Sequence, residues 1–134
     1  MSHCIFCKIA DGSVPSAKVF EDDDVCAFFD INPASEYHTL VIPKMHYENI
    51  FDIPEWLLVK VIKQVKVIAN RYQEKVGIDH VQIINSSGKE AQQDVFHFHF
   101  HIVPRTLDDG QNIKWTLNPE IKQRFDSLLQ KIKL

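Results

Sequence analysis

From Phe96 to Ile102 the chain alternates without a break: Phe96, His97, Phe98, His99, Phe100, His101, Ile102. Only an extended strand sorts such a run, because successive side chains then point to opposite faces. Phe96, Phe98, Phe100 and Ile102 are therefore expected to anchor a strand in a core, with His97, His99 and His101 together on its other face. Three aligned imidazoles are poor packing material, since each contributes little apolar area and needs a polar partner. They cannot all hold one metal ion. Residues four apart on a strand are separated by about 13 Å, whereas two zinc–nitrogen bonds span only about 2 Å each. The three must divide their duties. A central imidazole is a competent nucleophile toward phosphorus, and its neighbours can donate hydrogen bonds to oxygens that gather charge.

The rest of the chain supplies the sheet this strand needs. Its 134 residues, 45% of them hydrophobic, suit one domain with a real core. Lys18–Glu21 and Val25–Phe29 read as a hairpin around the acidic turn Asp22-Asp23-Asp24, and His38–Ile42 is a third strand stopped by Pro43. The spacing of Trp56, Leu57, Val61, Val65, Ile68 and Tyr72 predicts a helix over 53–76. Asp52 and Glu55 would form its capping box, Pro54 lies in its first turn, and Gly77 is its C-terminal cap. Strands over 80–84 and 95–103 follow, separated by a loop over 85–94, with Pro104 as the stop. The segment 119–133 has a helical repeat of apolar residues. The order predicts an α+β fold with a mainly antiparallel sheet of about five strands, one long central helix, a C-terminal helix, and the helices on one face.

Composition narrows the partners. With a formal net charge of −3 and no stripe of Lys and Arg, the chain is a poor polynucleotide binder, though a small anionic substrate remains possible. No leader pattern opens the sequence and no apolar run approaches roughly 18 residues, so a soluble, cytoplasmic protein without a membrane partner is expected. Three cysteines, Cys4, Cys7 and Cys26, fit thiol or thiolate chemistry better than a disulfide framework.

The run from His97 to Val103, read H-F-H-F-H-I-V, resembles the signature of the histidine-triad family. Further likeness lies in Cys4-Ile5-Phe6-Cys7-Lys8-Ile9, in Phe28-Phe29-Asp30-Ile31, and in His38 to Lys44 with His46. The resemblance runs from Cys4 to Pro104 and leaves 105–134 as a tail on a single domain. It implies a hydrolase or nucleotidyl transferase that cleaves a purine nucleotide derivative at its α-phosphate through a covalent nucleotidyl-histidine. The derivative would be a phosphoramidate or a dinucleoside polyphosphate. His99 would be the nucleophile, with His101 and His38 beside the phosphate. Asp30 would hold the ribose, and Ile5, Phe6, Ile9, Phe28, Phe29 and Ile31 would enclose the base. Gln93, within the family stretch before the triad, would also bind the nucleotide. So would Ser86, or Asn85 after a shift of one, at the upstream position that often carries Asn or Gln. Cys4, Cys7, His46 and His97 match the ligands of a structural zinc, which the chemistry itself would not need. A homodimer built on the long helix and a strand edge is also implied.

Two residues depart from the pattern. Gln92 replaces a glycine, and Asp94 stands where many relatives carry serine or threonine near the leaving group, so that an ionised carboxylate would repel phosphate. Two other readings stand beside the first: a nucleotide-binding module with little catalysis, and a zinc-dependent hydrolase.

Overall fold

The hairpin at the N-terminal end of the sheet is set by one side chain. Asp22 accepts hydrogen bonds from the backbone N–H of Asp24 and of Val25, both at 2.8 Å, and so closes the turn between β1 (Lys18–Glu21) and β2 (Val25–Phe29). The computed structural model describes residues 3–133; Met1 and Ser2, where the absence of a leader pattern was read, lie outside the described residues. Upstream of the hairpin is a short helix, α1 (Ile5–Ala10). After it come β3 (Thr39–Pro43), the long helix α2 (Glu55–Val76), β4 (Val81–Ile84), β5 (Phe100–Pro104) and α3 (Phe125–Ile132). The sheet order is β1-β2-β3-β5-β4, and every neighbouring pair is antiparallel. Among the described residues, no helix is long and apolar enough to cross a membrane.

The sheet parts two apolar clusters. On one face Val25, Ala27, Val41, Phe98 and Ile102 meet the buried stripe of α2, formed by Leu57, Val61, Val65, Ile68 and Tyr72. Each of the larger side chains removed from water there contributes about 1.5–3 kcal/mol. On the other face Phe6, Ile9 and Ala10 of α1 pack on Cys26, Phe28, Leu40 and Ile42. The expectation of helices on one face is thus corrected. At six residues α1 is too short to display a helical period, so its apolar residues carried no readable pattern.

Four local expectations also change. The β5 ladder begins only at Phe100, opposite Val41. Before it the chain bends at residues 95–97, and the Phe98 N–H donates to the carbonyl of Tyr47 at 2.7 Å. Phe96, beyond the reach of the core, is exposed. Helix α2 starts at Glu55, capped by the extended Pro54 without a side-chain bond. Asp52 instead accepts from the N–H groups of Glu48 and Asn49, so no capping box forms. Trp56 lies outside the buried stripe, 53% exposed, with the Lys60 ammonium 5.7 Å from its ring centroid. The Gly77 cap is as expected, left-handed at φ 72° with its N–H on the Gln73 carbonyl. Helix α3 forms where the spacing placed it, yet every residue from Gln111 to Lys133 is exposed.

Candidate active site

Between α1 and the second face of the sheet lies a cavity of about 500 Å³, in the size range of small-molecule sites. Ile5, Phe6 and Ile9 wall it from α1. Phe28, Phe29, Asp30 and Ile31 come from the end of β2 and the turn after it, and His99 and His101 from the histidine segment. Those residues, separated by up to 96 positions of sequence between Ile5 and His101, thus share one space. The connection Val14–Ala17 closes a further side and was not anticipated. A loop wall has no periodicity, and Pro15 was the only local signal.

Hydrogen bonds fix the protonation pattern of the histidines, because a carbonyl can only accept. The Nε2 of His97 lies 2.7 Å from the Pro43 carbonyl, so it carries the proton and leaves the Nδ1 lone pair free. The Nδ1 of His99 donates to the His97 carbonyl at 2.8 Å, which leaves the lone pair on Nε2. His38 accepts at Nδ1 from the Ala34 N–H at 2.9 Å, so its Nε2–H donates to Nδ1 of His101, also at 2.9 Å. By elimination, neutral His101 holds its own proton on Nε2. A carboxylate oxygen of Asp30 stands 3.5 Å from His38 Nε2. Burial disfavours the charged form of His38 and His101. It pushes His101 down to about 4, helped by His99 and His38, and lowers His38 against the opposing pull of Asp30. Phe6 closes on His99 edge-on, with ring centroids 5.2 Å apart.

Three residues assigned to the nucleotide by resemblance stand elsewhere. Asn85 donates from its side chain to the His99 carbonyl at 2.9 Å, behind the histidine segment. Gln93 is buried, accepting from the Gly88 N–H and donating to the carbonyls of Glu48 and Val95. Ser86 does not line the cavity. Asn85 and Gln93 therefore hold backbone in place. Gln92, at the family's glycine position, adopts φ 71°, a left-handed conformation that glycine takes without strain. Asp94 does face the cavity, with a carboxylate oxygen 3.8 Å from His99 Nε2.

Behind the cavity, Cys4, Cys7, His46 and His97 converge with their donor atoms within 4.8 Å of one another. His97 Nδ1 lies 3.4 Å from Cys4 Sγ and 3.5 Å from Cys7 Sγ, and His46 Nδ1 lies 3.4 Å from Cys7 Sγ. A tetrahedral zinc ion with usual bond lengths separates sulfur and nitrogen ligands by about 3.5 Å. The donor set fits zinc in both chemistry and spacing. The Pro43 carbonyl, by accepting the Nε2–H, fixes the His97 ring so that its Nδ1 lone pair faces the thiols, as a metal-binding histidine requires.

A family model described as the HIT domain matches residues 11–107. An uncharacterized HIT-like protein of Methanocaldococcus jannaschii is 44% identical over 131 residues, covering 97% of this chain and 98% of its own. The adenosine 5'-monophosphoramidase of Saccharomyces cerevisiae is 37% identical over 126 residues, covering 93% and 75%. Among solved structures, a Streptococcus mutans protein superposes with a TM-score of 0.87 at 36% identity, over 99% of this chain and 87% of that one. A zinc-bound histidine triad family protein from Mycobacterium smegmatis gives 0.78 at 32% identity, over 97% and 96%.

Proposed function

Because this chain belongs to the HIT domain family, we propose that its cavity hydrolyses a purine nucleotide derivative at the α-phosphate through a covalent bond to His99. The observation that carries the proposal is the tautomer of His99: its proton is committed to the His97 carbonyl, so Nε2 meets the cavity as a free lone pair. That lone pair attacks phosphorus, and the imidazolium character that results is met by the same carbonyl. The bond from phosphorus to the leaving group breaks, its electron pair goes to the departing atom, and that atom takes a proton from water. His101 Nε2–H is the donor facing this charge, and His38 and the Ala34 N–H hold it in that tautomer. Water then cleaves the phosphorus–histidine bond and releases the nucleoside monophosphate. Asp30 accepts the ribose hydroxyls, and the apolar walls around Phe6, Phe28 and Ile5 take the base. The 37% identical adenosine 5'-monophosphoramidase supports nucleotide hydrolysis and makes a phosphoramidate the first substrate to try.

Cys4, Cys7, His46 and His97 would hold a structural zinc, tying α1 to the histidine segment and supplying a cross-link, with no part in bond breaking. A homodimer joined through α2 and the β4 edge would suit the exposed Trp56 and Ile83. The test is single-turnover hydrolysis of adenosine 5'-phosphoramidate by wild type, His99→Ala and His99→Gly, with trapping of adenylylated protein. Turnover that disappears with His99, with label on that residue, is the expected result. Binding of adenosine monophosphate without any turnover would leave a nucleotide-binding module. A zinc-dependent hydrolase draws on one observation: Asp30, His38 and His101 also bring donor atoms within 4.8 Å. That reading requires activity to vanish with a chelator and return with zinc.

A further inference from the structure

We propose that Asp94 sorts substrates by the charge of the leaving group, admitting a departing amine that bears an ammonium and disfavouring anionic groups such as polyphosphate or sulfate. The inference rests on the proposed hydrolysis and names the substrate class for it. Its first ground is position. The Asp94 carboxylate lies 3.8 Å from the Nε2 that attacks phosphorus, yet its side chain is 78% exposed, so it stands at the mouth of the cavity. With the base among the apolar walls and the ribose at Asp30, the mouth is where the leaving group must extend.

The second ground is charge. Among the described residues, the cavity lining contains two carboxylates, Asp30 and Asp94, and no lysine or arginine. His38 and His101 each use one ring nitrogen as an acceptor, His38 from the Ala34 N–H and His101 from His38, as only a neutral imidazole can. A polyphosphate or sulfate leaving group would meet no counter-charge from the cavity walls and one carboxylate directed at it. An ammonium would meet an acceptor.

The third ground is rigidity. The Val95 N–H donates to one oxygen of Asp94 at 2.8 Å, and the buried side chain of Gln93 binds the carbonyls on both sides of the loop, at Glu48 and Val95. The carboxylate is thereby held in place rather than free to swing into solvent. In the reaction His99 Nε2 bonds to phosphorus and the phosphorus–nitrogen bond to the amine breaks. The electron pair passes to the departing nitrogen, which takes a proton from water at the open mouth and leaves as the amine, and the hydroxide equivalent left behind is consumed when the phosphorus–histidine bond is cleaved. Asp94 neither donates nor consumes a proton, and acts on the far end of the departing group.

The experiment uses three adenosine 5'-phosphoramidates with amines of equal length, ending in an ammonium, a methyl or a carboxylate. The kcat/KM of each is measured in wild type, Asp94→Asn and Asp94→Ser, and the methyl-ended compound serves as the internal reference for each protein. The wild type is expected to favour the ammonium over the carboxylate on the order of 10-fold, as one exposed attraction gained and one repulsion avoided would give. The preference should shrink at high salt. Both variants should bring the ratio close to one. A ratio that survives in both variants overturns the role of Asp94 while leaving His99 chemistry in place, provided that the methyl-ended compound is still hydrolysed. No turnover of any of the three by wild type would instead overturn the proposed hydrolysis, and this inference with it.

Discussion

The two hydrogen bonds of His38 can be cut separately, and the results should differ in kind. Its Nδ1 accepts from the Ala34 N–H and its Nε2–H donates to His101, each at 2.9 Å. In His38→Asn the side-chain oxygen falls near the Nδ1 position and keeps the first bond, but nothing reaches His101. In His38→Gln the amide nitrogen reaches toward the Nε2 position and keeps the second. Without a donor at its Nδ1, His101 loses the bond that forces its proton onto Nε2. A buried hydrogen bond of this kind is worth about 1–3 kcal/mol, equivalent to roughly 5- to 150-fold in the population of the competent tautomer. His38→Asn should therefore lose about that factor in the single-turnover rate, with KM little changed. His38→Gln should retain most of the rate but lose about 1 kcal/mol of stability from the orphaned Ala34 N–H. Rapid-quench kinetics with a phosphoramidate and urea denaturation of the same preparations measure both. If the Asn variant were as active as the Gln variant, His38 would not act through the tautomer of His101.

Burial pushes both His97 and His101 down to about 4, from an ordinary value near 6.5. The unfolded chain therefore takes up protons that the folded one refuses. Stability of the metal-free protein should be full above pH 6.5 and drain away as pH falls toward 4, by about 3 kcal/mol for the fully buried His97 alone; a flat urea midpoint across that window would contradict it. Phe98→Ala empties a fully buried site between sheet and α2 and should cost about 3–5 kcal/mol in chemical denaturation, with only a slight loss counting against the packing described. A Cys4→Ser, Cys7→Ser double variant should lose bound zinc by elemental analysis and melt at a lower temperature. Its single-turnover rate below that melting range should persist, and a proportionate loss of rate would assign the metal a part in the chemistry.

The parts of the fold that could be read from the sequence were those where one period repeats for long enough. The 22 residues of α2 displayed five buried positions at helical spacing, and the Phe/His alternation sorted core from cavity before any neighbour was known. Short elements hid: α1 packs three buried residues into six and was legible only as a resemblance. Capping signals misled at Asp52, because the same carboxylate can serve the turn before the helix as well as the helix itself. Asn85 and Gln93 were placed at the nucleotide only by their position in the resemblance. In the structure Asn85 bonds the His99 carbonyl 14 residues on, and Gln93 the Glu48 carbonyl 45 residues back, pairings that no local pattern encodes. For the metal-ligand set, the Cys-x-x-Cys spacing gained meaning only from histidines 39 and 90 or more positions away.

Insertions and deletions meet a stricter rule here than substitutions do. Because the histidine segment assigns its two faces by odd and even position, one residue added between Phe98 and His99 would turn His99 and His101 toward α2. The same residue would turn Phe100 and Ile102 into the cavity. Adding two would restore the faces but carry the nucleophile about 7 Å along the strand, away from Phe6 and Asp30. The loop before it, with its short turn at Lys89–Ala91, is exposed at residues 89–92, but two hydrogen bonds between Gly88 and Gln93 bridge it and tie its length to the placing of the next residue, Asp94. Between Asp94 and His99 the same rule holds, for one residue gained or lost there would put a different side chain beside the nucleophile in place of Asp94.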